Sequence, residues 1–289
     1  MKRLALLLAA IGVVSVTAMA ESPKLEVTHI GQEIEIENSD GGADVDSIFF
    51  ANTVGLSYKD WSFSVTGGKF WSYDGDDGIK STDGRLQFDI WKPVTETLKL
   101  GTRFRLQDDY DRYYLNWDWN NGLFYSFSEA WYEAANSSDN HNTADSLNME
   151  AQLLGVRYGR FAVSYYLGYY KFFGTQAQDA TDYEVEHQVR LFADLYKGER
   201  FSLSTEVRVT IADDVETEGS NQKYREYDDF GRTRIYLRPS YKVSDALTVY
   251  GYYGYEFKDR DYKNGATRSD YHTENDNYQD IGLGWSYTF

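Results

Sequence analysis

No cysteine occurs in the 289 residues, so no disulfide can staple this fold, and a small cross-linked secreted domain is excluded. Long apolar runs are as scarce. The longest, Leu4 to Val16, has 13 residues, against the roughly 20 that a helix needs to cross a bilayer. If the chain spans a membrane, strands must do it. Positive charge is in deficit, with 29 Lys and Arg against 46 Asp and Glu, which argues against nucleic acid as a partner. Proline is rare. Only Pro23, Pro93 and Pro239 are present, so little interrupts extended structure.

What is present begins with an export signal. Lys2 and Arg3 precede the apolar run, and Ala18-Met19-Ala20 closes it. This is the pattern of a secretory signal peptide over residues 1–20, cut before Glu21, leaving 21–289 as a single domain. Loss of the two cations leaves 27 basic against 46 acidic residues, a mature charge of −19. Aromatics make up 17%, including 26 tyrosines and seven tryptophans, yet mean hydropathy is −0.60. That combination suits a thin apolar band facing lipid around a polar interior.

Alternation of period two recurs in segments of about ten residues. Val185, His187, Val189, Leu191, Ala193 and Leu195 fall on one face, and Glu184, Glu186, Gln188, Arg190, Asp194 and Tyr196 on the other. The same holds for Phe201, Leu203, Thr205, Val207, Val209 and Ile211 against Ser202, Ser204, Glu206, Arg208 and Thr210. A soluble antiparallel sheet with one wet face would show this too, and what separates the two is number and spacing. Here 14 such segments follow one another, near 24–37, 46–58, 61–73, 84–92, 98–108, 112–120, 122–133, 147–158, 161–173, 184–197, 201–212, 230–241, 247–258 and 277–289.

The connections alternate in length. Short ones are Lys59-Asp60, Lys92 to Thr97, Asn120 to Gly122, Gly159-Arg160, Lys197 to Arg200 and Lys242 to Ala246; longer ones include 38–45, 74–83, 134–146, 174–183, 213–229 and 259–276. The expected fold is all-β, a 14-stranded transmembrane antiparallel β-barrel with short periplasmic turns and long outer loops. It would be a multi-pass protein of the cell outer membrane, surrounded by lipid. Two turns echo each other, Val94-Thr95-Glu96-Thr97-Leu98 and Val243-Ser244-Asp245-Ala246-Leu247. The final segment alternates Ile281, Leu283, Trp285, Tyr287 and Phe289 with Asp280, Gly282, Gly284, Ser286 and Thr288. It looks like the terminal strand of outer-membrane barrels, whose final aromatic, here Phe289, the assembly machinery reads.

Several stretches resemble the outer membrane porin G family. They are Glu33-Ile34-Glu35-Ile36-Glu37-Asn38, the run Arg225 to Arg232, Leu247-Thr248-Val249 with Tyr255 to Asp261, and Gly282 to Phe289. The resemblance implies a monomeric 14-stranded pore for small hydrophilic solutes, oligosaccharides included. In that family a long sixth outer loop folds over the mouth, and two histidines on the flanking strands gate it with pH. The corresponding loop here is 213–229, and Asp228 and Arg260 stand where those histidines would be. Both keep their charges from about pH 5 to 8, where histidine would switch. A gate built on them is expected to ignore that range.

Strand parity places Lys99, Arg103, Arg105, Arg190, Arg208, Arg232, Arg234 and Arg238 toward the lumen, with Asp89, Glu184, Glu186, Asp194, Glu206, Glu256 and Asp280 as acids facing them. Opposed walls of charge would tune which ions and solutes pass; internal salt bridges among solvated lumen residues are the plainer reading. Trp91, Tyr166, Tyr170, Tyr236, Tyr250 and Tyr252 share the inward parity and offer stacking surfaces for sugars or simply fill space.

Catalysis is not expected. Of the four histidines, His187 falls on the lipid face, His29 lies in the first strand, and His141 and His272 lie in polar loops with no evident nucleophile. Asp74-Gly75-Asp76-Asp77-Gly78 lacks the alternating ligand spacing of a calcium loop, so neither a metal nor another cofactor is expected. Two alternatives to a pore remain: a plugged barrel acting as adhesin or receptor, and a barrel hydrolase.

Overall fold

The structure is a computed structural model that describes residues 24–39, 44–136, 145–173, 181–217, 223–264 and 270–289; the side chains of 181, 216–230 and 259–276 lie outside the description. Residues 1–20, where a signal peptide is expected, fall outside it as well. Fourteen strands account for nearly all of it: β1 (Glu26–Ser39), β2 (Val45–Tyr58), β3 (Trp61–Asp74), β4 (Gly78–Pro93), β5 (Leu98–Leu106), β6 (Tyr110–Asn120) and β7 (Phe124–Ala135), then β8 (Ser146–Tyr158), β9 (Phe161–Phe172), β10 (Thr181–Lys197), β11 (Phe201–Thr217), β12 (Lys223–Lys242), β13 (Leu247–Asn264) and β14 (Asp270–Thr288). Each pairs antiparallel with its neighbours in sequence, and β1 pairs with β14 to close the barrel. Closure leaves no sheet edge, the condition for strands to lie in hydrocarbon with every backbone group satisfied.

Polarity is inverted relative to a soluble domain. Leu115 is 72% exposed and Leu283 58%, while Asp280 is 5% and Glu256 2% exposed. An apolar belt outside and charge inside is the arrangement a bilayer imposes on a barrel, and the chain crosses the outer membrane as a multi-pass β-barrel.

The short-turn end is built by its sequence. In the two echoed turns the Val94 and Val243 amides donate to the carbonyls of Leu98 and Leu247 at 2.8 and 2.9 Å, and Thr95 Oγ1 and Ser244 Oγ accept from the Leu98 and Leu247 amides, each at 3.0 Å. A hydroxyl three residues before a strand start thus closes the turn. The Lys59-Asp60 and Gly159-Arg160 turns each open with a residue of positive φ, 54° at Lys59 and 60° at Gly159. Glycine takes that conformation freely, lysine does not. Pro239 lies near the same end of β12, where pairing with β13 lapses between Leu237↔Tyr253 and Ser240↔Tyr250. The Phe289 amide bonds the Thr28 carbonyl at 3.0 Å, so the last residue is tied into the first strand.

At the opposite end the strands run further than alternation predicts. β4 starts at Gly78 rather than 84, β11 continues to Thr217, β12 starts at Lys223, β13 reaches Asn264 and β14 starts at Asp270. Most of the expected loops 213–229 and 259–276 is therefore strand, and the connections left between elements are 218–222 and 265–269. The reason is that both faces of a strand are wet once it leaves the bilayer, so polar residues continue the ladder without alternating.

Candidate functional site

The barrel interior is divided into sectors of different charge. Over β10 to β13, carboxylates are shared among cations. Glu256 accepts from Arg232 (3.3 Å) and Arg234 and lies 3.6 Å from Lys258. Glu206 lies between Arg208 at 2.6 Å and Arg238 at 2.9 Å, and Glu186 accepts from Arg232 at 2.7 Å and from Thr210 and Gln188 at 2.9 Å. Tyrosine faces carry the remaining positive charge. The Arg190 guanidinium sits 3.5 Å from the Tyr166 ring centre, and those of Arg208 and Arg238 sit 4.9 and 4.4 Å from that of Tyr236.

A second cationic sector spans β4 to β6. Arg103 bridges Asp89 (2.5 Å) and Glu129 (2.7 Å), and Arg112 pairs with Glu133. Arg105 donates to Gln87 at 3.0 Å and Arg85 to Gln107 at 2.9 Å. Among the described residues, no carboxylate lies within ion-pair distance of either. Arg85 is instead held against the rings of Phe49 and Phe70, 4.6 and 4.7 Å from their centres.

Between these sectors runs an acidic seam on β1 and β14. Alternation along Glu33-Ile34-Glu35-Ile36-Glu37 turns three glutamates inward and two isoleucines to lipid, and Asp280 stands opposite Glu37. Their partners are tyrosines: Tyr252 Oη donates to Glu35 and Tyr278 Oη to Glu37, both at 2.7 Å, and Tyr236 Oη donates to Asp280 Oδ2 at 2.9 Å. Asp280 Oδ1 is buried with no protein partner. No Lys or Arg nitrogen reaches these four carboxylates among the described residues. The tyrosines fit because β14 has glycine beneath them. A Cβ on Gly282 would lie 2.1 Å from Tyr252 Cε1, and one on Gly284 2.7 Å from Tyr250 Cζ.

Arg103, Arg105, Arg190, Arg208, Arg232, Arg234, Arg238, Asp89, Glu186, Glu206 and Glu256 all occupy the interior face. Lys99 shares their parity but lies exposed at the short-turn end of β5, opposite Asp118. The expected facing walls are corrected in one respect. Asp89, Glu186, Glu206 and Glu256 sit beside the arginines they were to oppose, because residues two apart on one strand, or paired across neighbouring strands, share one wall. Charge does stand apart from the arginines on β1, at Glu33, Glu35 and Glu37, which are not among the lumen acids expected from strand parity. Arg85, Arg112, Glu129 and Glu133 also belong to the interior. The strict alternation of β1 would have revealed its glutamates; Arg85 lay at the margin of a strand drawn from 84.

The backbones of β12 and β13 bring Tyr227 opposite Arg260, so Asp228 is adjacent in sequence to the position facing Arg260; the side chains of both lie outside the described residues. His187 faces outward as expected, its Nδ1 2.6 Å from Tyr165 Oη. Among the described residues no group of His, Asp and Glu has the arrangement of a metal site. At the outer end of β7, Asp145 is held below the usual carboxylate range by the Tyr132 hydroxyl and by the Ala135 amide, which donates at 2.9 Å.

No protein-family model matches the chain, and neither does any curated protein sequence. Solved structures do. The CymD monoaromatic hydrocarbon channel aligns with 91% of this chain and 89% of its own at 10% identity, with a TM-score of 0.52. A bacterial polysaccharide outer membrane secretin aligns with 91% and 98% at 8% identity, with a TM-score of 0.50. OmpT of Vibrio cholerae covers 94% of this chain and 100% of its own at 11% identity, with a TM-score of 0.47. At such identities the likeness is one of fold, and the fold is the outer-membrane β-barrel.

Proposed function

We propose that this protein is a porin, a water-filled channel for passive diffusion of small hydrophilic solutes, with oligosaccharides among them. The carrying observation is the interior itself. Charged and tyrosyl side chains form its wall, and among the described residues every element belongs to that wall and none crosses the enclosed space. Fourteen strands stand between the filled eight-stranded barrels and the open porins of 16 to 18 strands, a width at which a channel is expected. The fold neighbour CymD bears the name of a channel, which agrees with this reading. So does the strand number of the porin G family, whose motifs the chain resembles.

The reading assigns pore lining to the interior arginines and carboxylates named above and assigns no catalytic role. It takes the protein as a monomer whose Phe289 serves barrel assembly. Asp228 and Arg260, on neighbouring strands beside the 218–222 connection, are its gate residues. Proteoliposome swelling with sugars of graded size tests it. Swelling that falls steeply with solute size is the expected result, and vesicles that stay impermeable to every sugar would overturn it.

A further inference from the structure

Between the acidic seam and the arginines of β4 and β5 lies a cleft of about 330 Å³, lined on one side by Glu33 and Glu35 and on the other by Arg85 and Arg105. Its floor follows from the register. Glu33 pairs with Ala51, Ala51 with Gly68, and Gly68 with Arg85, so two of the smallest residues separate an anion from a cation on one level of the wall. The next level toward the short turns places Thr53 opposite Thr66, their hydroxyls 2.8 Å apart. Three strand spacings amount to about 14 Å along the wall, and among the described residues no ion pair joins the two sides.

Each side is also prevented from collapsing onto the other. Arg85 is packed against the stacked rings of Phe49 and Phe70 and bonded to Gln107, Arg105 is bonded to Gln87, and Glu35 is bonded to Tyr252. The Phe49 ring lies where a side chain on Gly68 would go, 2.3 Å from its Cβ position, so ring and floor are fitted to each other. Two arginines without a carboxylate and two glutamates without a cation thus face one another across an uncharged floor. In the β10 to β13 sector comparable groups neutralise each other directly.

We propose that this cleft is a subsite for a small zwitterion, an amino acid or short peptide. Its carboxylate is taken by Arg85 and Arg105, its ammonium by Glu33 and Glu35, and its backbone polar groups by the Thr53 and Thr66 hydroxyls. Charge-assisted hydrogen bonds at both ends favour a molecule that carries both charges over one that carries either alone. The fixed separation of the walls selects for length. Affinity in a water-filled lumen stays modest, as passage requires. The subsite rests on the porin reading for access to its ligand, though binding is measurable without transport.

The test uses residues 21–289 folded in detergent or bilayer and three probes: glycylglycine, its N-acetyl form and its C-terminal amide. Titration calorimetry on the unaltered barrel is expected to show saturable binding of glycylglycine and roughly tenfold weaker binding of each blocked form. The double variant Arg85→Gln/Arg105→Gln is expected to remove the advantage over the N-terminally free amide, and Glu33→Gln/Glu35→Gln the advantage over the acetylated form. Both variants are first checked for folding by far-ultraviolet circular dichroism. The probe series alone decides the matter if either fails to fold: equal binding of the three probes, or no binding of glycylglycine, overturns the subsite. Absence of current in potassium chloride with binding intact would overturn the porin reading and leave the subsite standing.

Discussion

Two regions of the interior meet charge in opposite ways. Over β10 to β13, Glu206 and Glu256 are each shared by two or more cations, Glu186 is bonded to Arg232, and the remaining guanidinium charge rests on tyrosine faces. On β1 and β14, Glu33, Glu35, Glu37 and Asp280 follow one another with tyrosine hydroxyls as partners and no cation within reach among the described residues. The first arrangement is self-neutralising and welds four strands together. The second leaves its field without a counter-ion on the same wall. A barrel wall can therefore be stabilised by one set of charges and made selective by another, and the two sets separate by whether a counter-ion sits on the same wall.

The largest expected effect breaks the self-neutralised side. Glu256→Gln removes the carboxylate that Arg232, Arg234 and Lys258 share at a site only 2% exposed, and removing one partner of a buried ionic cluster costs about 3 kcal/mol. Urea unfolding in lipid vesicles, followed by tryptophan fluorescence, is expected to show this loss. A change under about 0.5 kcal/mol, the range of ordinary surface substitutions, would mean that water already screens the cluster.

Neutralising the seam should alter selectivity rather than stability. The triple change of Glu33, Glu35 and Glu37 to Gln is expected to lower the cation-to-anion permeability ratio by roughly twofold or more, since rings and rows of carboxylates set that preference. Reversal potentials across a salt gradient read it directly, and an unchanged potential would show that the seam's field does not reach the ion path. Tyr252→Phe is a smaller change that removes one hydroxyl from Glu35. It is expected to cost about 1 kcal/mol in the same unfolding assay.

The smallest effect lies outside the membrane, at Asp145. Its pKa is depressed in the folded protein, so its contribution is fully present above the unfolded carboxylate value and is lost as pH falls through the folded one. The hydrogen-exchange protection of the Ala135 amide, which donates to this carboxylate, measured against the intrinsic exchange rate at each pH, should fall on acidification below the ordinary Asp range. In Asp145→Asn that acid dependence should vanish.

How much of this was legible in the sequence depends on where a residue sits relative to the bilayer. Within it, one face must be apolar, so period two identifies both the strand and its lumen side. Arg190, Arg208, Glu206 and the closing strand from Ile281 are read correctly on that basis. Beyond it the constraint disappears, and Lys223 to Asp229 and Asp270 to Asp276 read as loop while the backbone continues as strand. Parity also fails at irregularities. The β10–β11 register shifts between His187↔Ala212 and Gln188↔Thr210, after which Asp213 and Val215 point inward where even-numbered residues did before. Which carboxylate meets which arginine was not legible, because it depends on register between strands rather than on alternation within one. The subsite between Glu33 and Arg85 needs three such registers at once.

The most direct test of the central claim is single-channel conductance of refolded residues 21–289 in a planar bilayer, stepped from pH 7.5 to 5. A porin with Asp228 and Arg260 in place of gating histidines should pass steady current that changes little over that range. Absence of current at every pH would contradict the claim and make the barrel a plugged receptor, adhesin or enzyme.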